Sequence, residues 1–392
     1  MKSKKNILFV SVSSDMYGSS KVLLSLVLRI HKQSETYNPI VCMPLEPGPL
    51  KDILKREGIQ TIEMPVVKLT RSLLKSLKFY AVLREYWQAK KIFQKATKGM
   101  TVDLIQSNTL ATLFGAFYCM FRKPKHIVHV HEIMDRPKIV HVFFKNVLRF
   151  FSDYVVYNSI ATANFYNGIA RSLRKKSITI VNGVDRNEDV TTETQKLEIR
   201  RHHFHANNDH FLIGLVGRIN RLKGHSLLLK AFQNITEKFP QARLCFIGSP
   251  PPGQENYLTN LREEIANSNV SNKVEIIDFQ QNIFSIMESL DVVVVPSTEP
   301  ESFGLVVVEA MLSGRAVIGS DIGGISTIID HNRTGLLFES DNNIQLSNAI
   351  TSLIEDPAKK ERMEISALQM AKEDYSTERL FEKFNQLYNT LI

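Results

Sequence analysis

Short apolar, β-branched runs alternate along the chain with stretches whose apolar residues recur every three to four positions. That alternation predicts strands feeding amphipathic helices, the pattern of parallel α/β layers. In the first half the predicted strands are Ile7–Val12, Pro39–Met43, Ile59–Met64, Leu104–Gln106, Ile127–His131, Tyr154–Tyr157 and Ile178–Val181. They restart at Phe211–Val216 and continue with Arg243–Ile247, Val274–Ile277, Val292–Val295 and Ala316–Ser320. Between the blocks, Asp185–Asp209 is polar, has little apolar period, and reads as a linker plus an exposed helix. Two doubly wound domains are expected, residues 1–190 and 191–373. A terminal helix over 374–392, with Leu380, Phe384, Leu387, Tyr388 and Ile392 at helical spacing, is expected to join the first. Leu110–Phe121, the longest apolar stretch, falls far short of the about 20 residues that a membrane span needs. It reads as a buried helix.

The 392 residues are 43% hydrophobic, 23% charged and 9% aromatic. That argues against disorder, collagen-like repeats and a disulfide scaffold. Cys42, Cys119 and Cys245 are far apart in apolar surroundings, as expected of buried thiols in a reducing cytoplasm. Charge is uneven. Residues 1–190 carry 30 Lys/Arg against 14 Asp/Glu, net +16, while residues 191–392 carry 19 against 26, net −7. A basic half suits an anionic partner such as nucleic acid, a membrane surface or an acidic substrate. No nucleic-acid reading motif appears, and the acidic second half opposes wrapping, so no nucleic acid is expected.

In open α/β sheets, ligands bind beyond the carboxyl ends of strands. The residues there carry the candidate chemistry. After the first strand comes Tyr17-Gly18-Ser19-Ser20, a small-residue turn that suits either a tight bend or close approach to an anion. After Phe211–Val216 comes Gly217-Arg218-Ile219-Asn220-Arg221-Leu222-Lys223-Gly224, with cations before a helix. Fixed cations beside a helix start suit a diphosphate, although a solvated basic loop has the same composition. After Val292–Val295 comes Glu301-Ser302-Phe303-Gly304 and then Leu305–Leu312. Glu309 lies among valines there, and a carboxylate in so apolar a stretch needs a partner.

Gly217-Arg218 with Lys223-Gly224, then Glu301-Ser302-Phe303-Gly304 and Glu309-Ala310-Met311, resembles the retaining glycosyltransferases of family 4, glycosyl transferases group 1, which have the GT-B fold. Further matches cover almost the whole chain. Tyr17–Ser20 resembles the N-terminal glycine-rich loop, Asp103-Leu104-Ile105 the pre-strand signature, and His129-Val130-His131-Glu132 the active-site histidine segment. Asn182-Gly183-Val184-Asp185 resembles the interdomain motif, and Thr334–Phe338 the late turn. The resemblance implies two Rossmann-like domains facing a central cleft. It implies that Arg218 and Lys223 bind the donor diphosphate, with amides at Phe303, Gly304 and Leu305 meeting phosphate near Gly217. Glu301 would contact donor-sugar hydroxyls, Glu309 the ribose hydroxyls, and Asp278–Gln281 the base. His131 would contact the donor sugar, and Gly18 would admit phosphate and acceptor. No Asp-x-Asp triplet occurs, so no metal or other cofactor is expected. Two departures are Gly18-Ser19 in place of two glycines, and Gly323-Gly324-Ile325-Ser326-Thr327 where the family often has a Glu after the Gly-Gly turn.

The expected activity is sugar transfer from a nucleotide-sugar donor to a hydroxyl on a glycan or lipid-linked acceptor, in polysaccharide or lipopolysaccharide biosynthesis. A GT-B nucleotide-sugar epimerase and a non-catalytic binding protein on the same fold are the alternatives. Lys68–Lys98 holds nine Lys/Arg interleaved with Leu69, Leu73, Leu74, Leu77, Tyr80, Val82, Leu83, Tyr86, Trp87 and Phe93. Two readings are open. Such a segment docks on an anionic membrane, which would place a cytoplasmic protein on the inner membrane face, or its apolar stripe faces the core. His126, His129 and His141 are expected to be satisfied structural side chains, and His202, His203 and His205 lack the spacing of a metal site.

Overall fold

Valine-rich and isoleucine-rich runs of three to seven residues build two parallel sheets, and a computed structural model describes residues 4–67, 79–120, 124–134, 138–186 and 189–392. The chain divides into two units, Met1–Gly183 with Ser376–Ile392, and Val184–Tyr375.

The first unit carries β1 (Lys5–Val10), β2 (Tyr37–Met43), β3 (Gln60–Glu63), β4 (Leu104–Ser107), β5 (Lys125–Val130), β6 (Tyr154–Tyr157) and β7 (Ser177–Thr179), in the order 3-2-1-4-5-6-7. The second carries β8 (Phe211–Val216), β9 (Ala242–Ile247), β10 (Val274–Ile277), β11 (Val292–Val295), β12 (Ala316–Ser320) and β13 (Leu336–Phe338), in the order 10-9-8-11-12-13. Strand order reverses between β1 and β4 in one sheet and between β8 and β11 in the other. Both sheets are therefore doubly wound, with a topological switch point where ligands are received.

The last strand was not expected. β13 has only three residues and lies inside Thr334–Phe338, which reads as a turn. Of the buried helix expected over Leu110–Phe121, the described part runs Phe114–Cys119, because Leu110 and Ala111 form a turn; Phe121 lies outside the described residues. The expected exposed helix is Glu193–Phe204. A Thr192–Gln195 capping box starts it, and of its residues only Arg200 and Phe204 are buried.

The division between the units comes before the expected boundary after residue 190. Arg186 and the Thr191 N–H both reach Glu288, which fixes this linker to the second unit. Helix Thr377–Leu391 returns to the first unit as expected. Ser376 Oγ caps it at the Arg379 N–H, and it buries Leu380, Phe384, Leu387 and Tyr388. Tyr388 Oη donates to Gln106 Oε1 at 2.7 Å. Gly183 has no room for a side chain, since a Cβ there would stand 2.6 Å from the Ser376 carbonyl oxygen.

The basic segment is described only from residue 79, so Lys68–Lys78 lies outside the described residues. Helix Phe79–Ala96 has two apolar faces. Val82, Ala89 and Phe93 are buried, while Tyr80, Leu83 and Trp87 are exposed beside Arg84, Lys91 and Lys95.

Candidate functional site

In the second unit the switch point is framed by two loops, Gly217–Gly224 after β8 and Pro296–Gly304 after β11. They are fitted closely. Gly224 has φ +73°, and a Cβ there would lie 1.9 Å from the Pro296 carbonyl oxygen. The Thr298 N–H donates to the Leu222 carbonyl at 2.9 Å, and Arg221 pairs with Glu299.

Within this frame Lys223 Nζ donates to Glu301 Oε1 at 2.7 Å, and Ser297 Oγ donates to the same oxygen. The Lys223 and Glu301 side chains are 19% and 21% exposed. Burial by itself would raise the Glu301 carboxyl. The Lys223 charge and hydrogen bond, then Ser297 and the Arg218 charge, outweigh it and hold the group below the usual carboxylate range. Glu301 is thus a fixed anion whose Oε2 has no partner among the described residues. An ammonium has three N–H donors, so Lys223 keeps capacity beyond its bond to Glu301.

The Gly323-Gly324 turn packs against the backbone of Glu301 and Phe303. The Gly324 N–H donates to the Glu301 carbonyl at 2.7 Å, and a Cβ at Gly324 would meet the Phe303 carbonyl oxygen at 2.1 Å. Phe303 is buried, edge-on to Tyr375 at 5.8 Å. Gly304, at φ +110°, is the N-cap of helix Leu305–Leu312 and offers no side-chain oxygen to its first amides. Such a start favours an anion. Glu309 lies one turn further in, buried.

The structure therefore brings Arg218, Lys223 and Glu301 together at the switch point, with Gly217, Phe303, Gly304, Leu305 and Glu309 on the same two loops and the helix they feed. Gly18 and His131 belong to the first unit. Gly18 begins helix Gly18–Gln33 at that unit's own switch point, where Asn108 Nδ2, just past β4, donates to the Ser19 carbonyl at 3.0 Å. Asp103 Oδ2 accepts from the Asn6 N–H at 2.8 Å, which gives the pre-strand aspartate a local task in joining β1 to β4.

His131 follows β5 and is 8% exposed, and burial pushes it down to about 3. Burial first, then the His131 charge, holds His129 well below its ordinary value. His126 is satisfied as expected, with Ser107 Oγ at 2.9 Å from Nε2 and the Phe151 carbonyl at 2.6 Å from Nδ1, and His141 meets the Met134 carbonyl. His129 is not satisfied. Both its ring nitrogens are buried without a partner among the described residues. Alternation along a strand signals burial but carries no information about partners on other elements. Ser297 was missed altogether, since a serine after a strand carries no mark of its own. His202 and His203 lie in the last turn of helix Glu193–Phe204, and among the described residues no three His, Cys, Asp or Glu side chains gather as metal ligands.

Residues 195–370 match the family model of glycosyl transferases group 1. That match lies within the second unit. A D-inositol 3-phosphate glycosyltransferase of Corynebacterium urealyticum is 32% identical over 187 residues, 46% of this chain and 43% of that protein. One from Stackebrandtia nassauensis is 28% identical over 226 residues, 56% of this chain and 50% of that protein. The chain thus spans half or less of the length of these relatives. Among solved structures, Anabaena HepE in complex with UDP and glucose superposes with a TM-score of 0.84 at 23% identity, over 98% of this chain and 99% of that one. Sucrose-phosphate synthase from Thermosynechococcus elongatus gives 0.79 at 20% identity, over 99% of each. These likenesses establish the fold, GT-B.

Proposed function

We propose that this chain transfers a sugar, with retention of configuration and without a bound metal, from a nucleotide-sugar donor to a hydroxyl of a cell-surface glycan or its lipid-linked precursor. The observation that carries this reading is the Lys223–Glu301 pair beside Arg218, at the mouth of an uncapped helix. Breaking a sugar–phosphate bond builds positive charge on the sugar ring and negative charge on the departing diphosphate. Arg218, Lys223 and the leading amides of helix Leu305–Leu312 would take the growing negative charge as preorganised donors, doing the work that a metal ion does elsewhere. Glu301, held ionised with Oε2 available, is suited to accept from donor-sugar hydroxyls, and buried Glu309 to accept from ribose hydroxyls. His131 is assigned to the donor sugar. No nucleophile is assigned.

UDP is the first donor nucleotide to try, since HepE was solved with UDP and with UDP-glucose. A thermal-shift series with UDP-, GDP- and ADP-sugars tests the reading, because a ligand at 100 times its Kd stabilises by about 2.7 kcal/mol. A shift with one nucleotide class that is lost in Lys223→Ala supports a donor site, and no shift with any removes it. Product analysis without acceptor then separates transfer from epimerisation.

The acceptor side rests on a different observation. Tyr80, 80% exposed, shares the outward face of helix Phe79–Ala96 with Leu83, Trp87, Arg84, Lys91 and Lys95, and Lys90 Nζ stands 4.4 Å from the Trp87 ring centre. Aromatics at the interface with cations among anionic headgroups are what a peripheral helix needs. This face supports an acceptor presented at the inner face of the cytoplasmic membrane.

A further inference from the structure

His131 is held from two sides. Its backbone is pinned by its neighbour. Glu132 Oε2 accepts from the N–H groups of His131 and Leu110, each at 3.3 Å, and the Glu132 carbonyl accepts from Tyr166 Oη at 3.3 Å. None of these bonds reaches the imidazole, so they leave its orientation open.

The ring is met instead by His129, two residues earlier, near the end of β5. The two ring centres are 4.0 Å apart with planes at 51°, and the His129 ring also meets the ring of Phe384, 5.1 Å away on helix Thr377–Leu391. His129 is 1% exposed, and among the described residues neither of its nitrogens meets a donor or acceptor, nor does His131 Nε2. Without a hydrogen bond, His129 passes no proton to or from His131. What remains is ring against ring, braced from behind by Phe384.

We propose that His129 is a positioning residue, whose ring, backed by Phe384, fixes the plane in which His131 presents its imidazole. This rests on the reading of the chain as a glycosyltransferase in which His131 meets the donor sugar. A neutral imidazole has one donor and one acceptor nitrogen in its plane. A hydroxyl is therefore addressed well in one ring orientation and poorly in others, and a ring free to turn loses the alignment that preorganisation supplies.

The test uses the full chain and three variants. His129→Phe keeps a ring, His129→Leu keeps bulk without a ring, and His129→Ala removes both. Two quantities are read: release of nucleoside diphosphate from the sugar donor that gives the largest thermal shift, and the His131 imidazole resonance in histidine-labelled protein without donor. In His129→Ala and His129→Leu, kcat falls about tenfold with KM within about twofold, and the His131 resonance shifts or broadens. In His129→Phe both stay near wild type. A His131 resonance unchanged in His129→Ala overturns the inference, as does a loss carried wholly by KM or a His129→Phe as impaired as His129→Ala. If the wild type turns over no donor, the functional reading fails instead, and the resonance still decides the role of His129.

Discussion

Lys223 Nζ and Glu301 Oε1 lie 2.7 Å apart although their residues come from the loops of two different strands. Each loop alone is unremarkable. Their meeting lets Lys223 hold the Glu301 carboxylate while, on the proposed reading, it also faces the donor diphosphate. Lys223→Ala removes both roles, and the lost transition-state stabilisation is expected to be about 3 kcal/mol, roughly a hundredfold in turnover. Nucleoside diphosphate release checks this, with circular dichroism to confirm the fold. Turnover within a factor of three of wild type contradicts the assignment.

Gly224 and Gly58 share φ +73° but not their surroundings. At Gly58 nothing stands within 4 Å of a Cβ, whereas at Gly224 the Pro296 carbonyl oxygen is 1.9 Å away. Gly58→Ala is expected to cost about 1–2 kcal/mol, the strain of a left-handed alanine. Gly224→Ala adds a backbone displacement and is expected to cost about 2–5 kcal/mol. Urea denaturation of both variants measures the difference, and equal midpoints contradict the fitted-loop account.

Buried histidines give stability a pH dependence. Burial pushes His126 to about 4, His131 to about 3 and His225 to about 4, from an ordinary 6.5, with His129 also far down. The unfolded chain binds their protons first, so their contribution is complete above about 6.5 and is lost as pH falls towards 4. Each loses up to about 1.4 kcal/mol per pH unit. Glu132, pushed up to about 7 by burial from an ordinary 4.5, acts the other way and contributes less as pH rises to 7. Four groups outweigh one. The urea midpoint is expected to fall between pH 7 and pH 5.5, and a rise contradicts this balance.

Neutralising Lys90, Lys91 and Lys95 to Gln is expected to abolish co-sedimentation with vesicles containing an anionic phospholipid. Trp87→Ser is expected to weaken it even at low salt, because it removes apolar area rather than charge. A wild type that does not sediment with anionic vesicles ends the membrane reading.

Much of the fold was legible because strands buried on both faces need runs such as Val292–Val295, which leave an unmistakable mark. β13 escaped because three residues do not establish a pattern. Helix Phe79–Ala96 was legible as a helix, but not for its two apolar faces, since periodicity does not say which face meets the core. In the site, Arg218, Lys223 and Glu301 were readable from their places after strands. Ser297 and the unsatisfied state of His129 were not: a loop's hydrogen bonds follow from how it folds, and whether a buried nitrogen is met depends on what other elements bring to it.

Phe384 and Tyr388, which back His129 and Gln106, lie beyond the whole second unit in the sequence. On the ribosome the second unit has every residue it needs before the first does. During synthesis the segment that carries His129 and His131 waits for about two hundred and fifty further residues before Phe384 emerges. A chain interrupted in that interval holds the strands of its first unit and exposes their apolar underside, a species that chaperones and proteases are built to recognise.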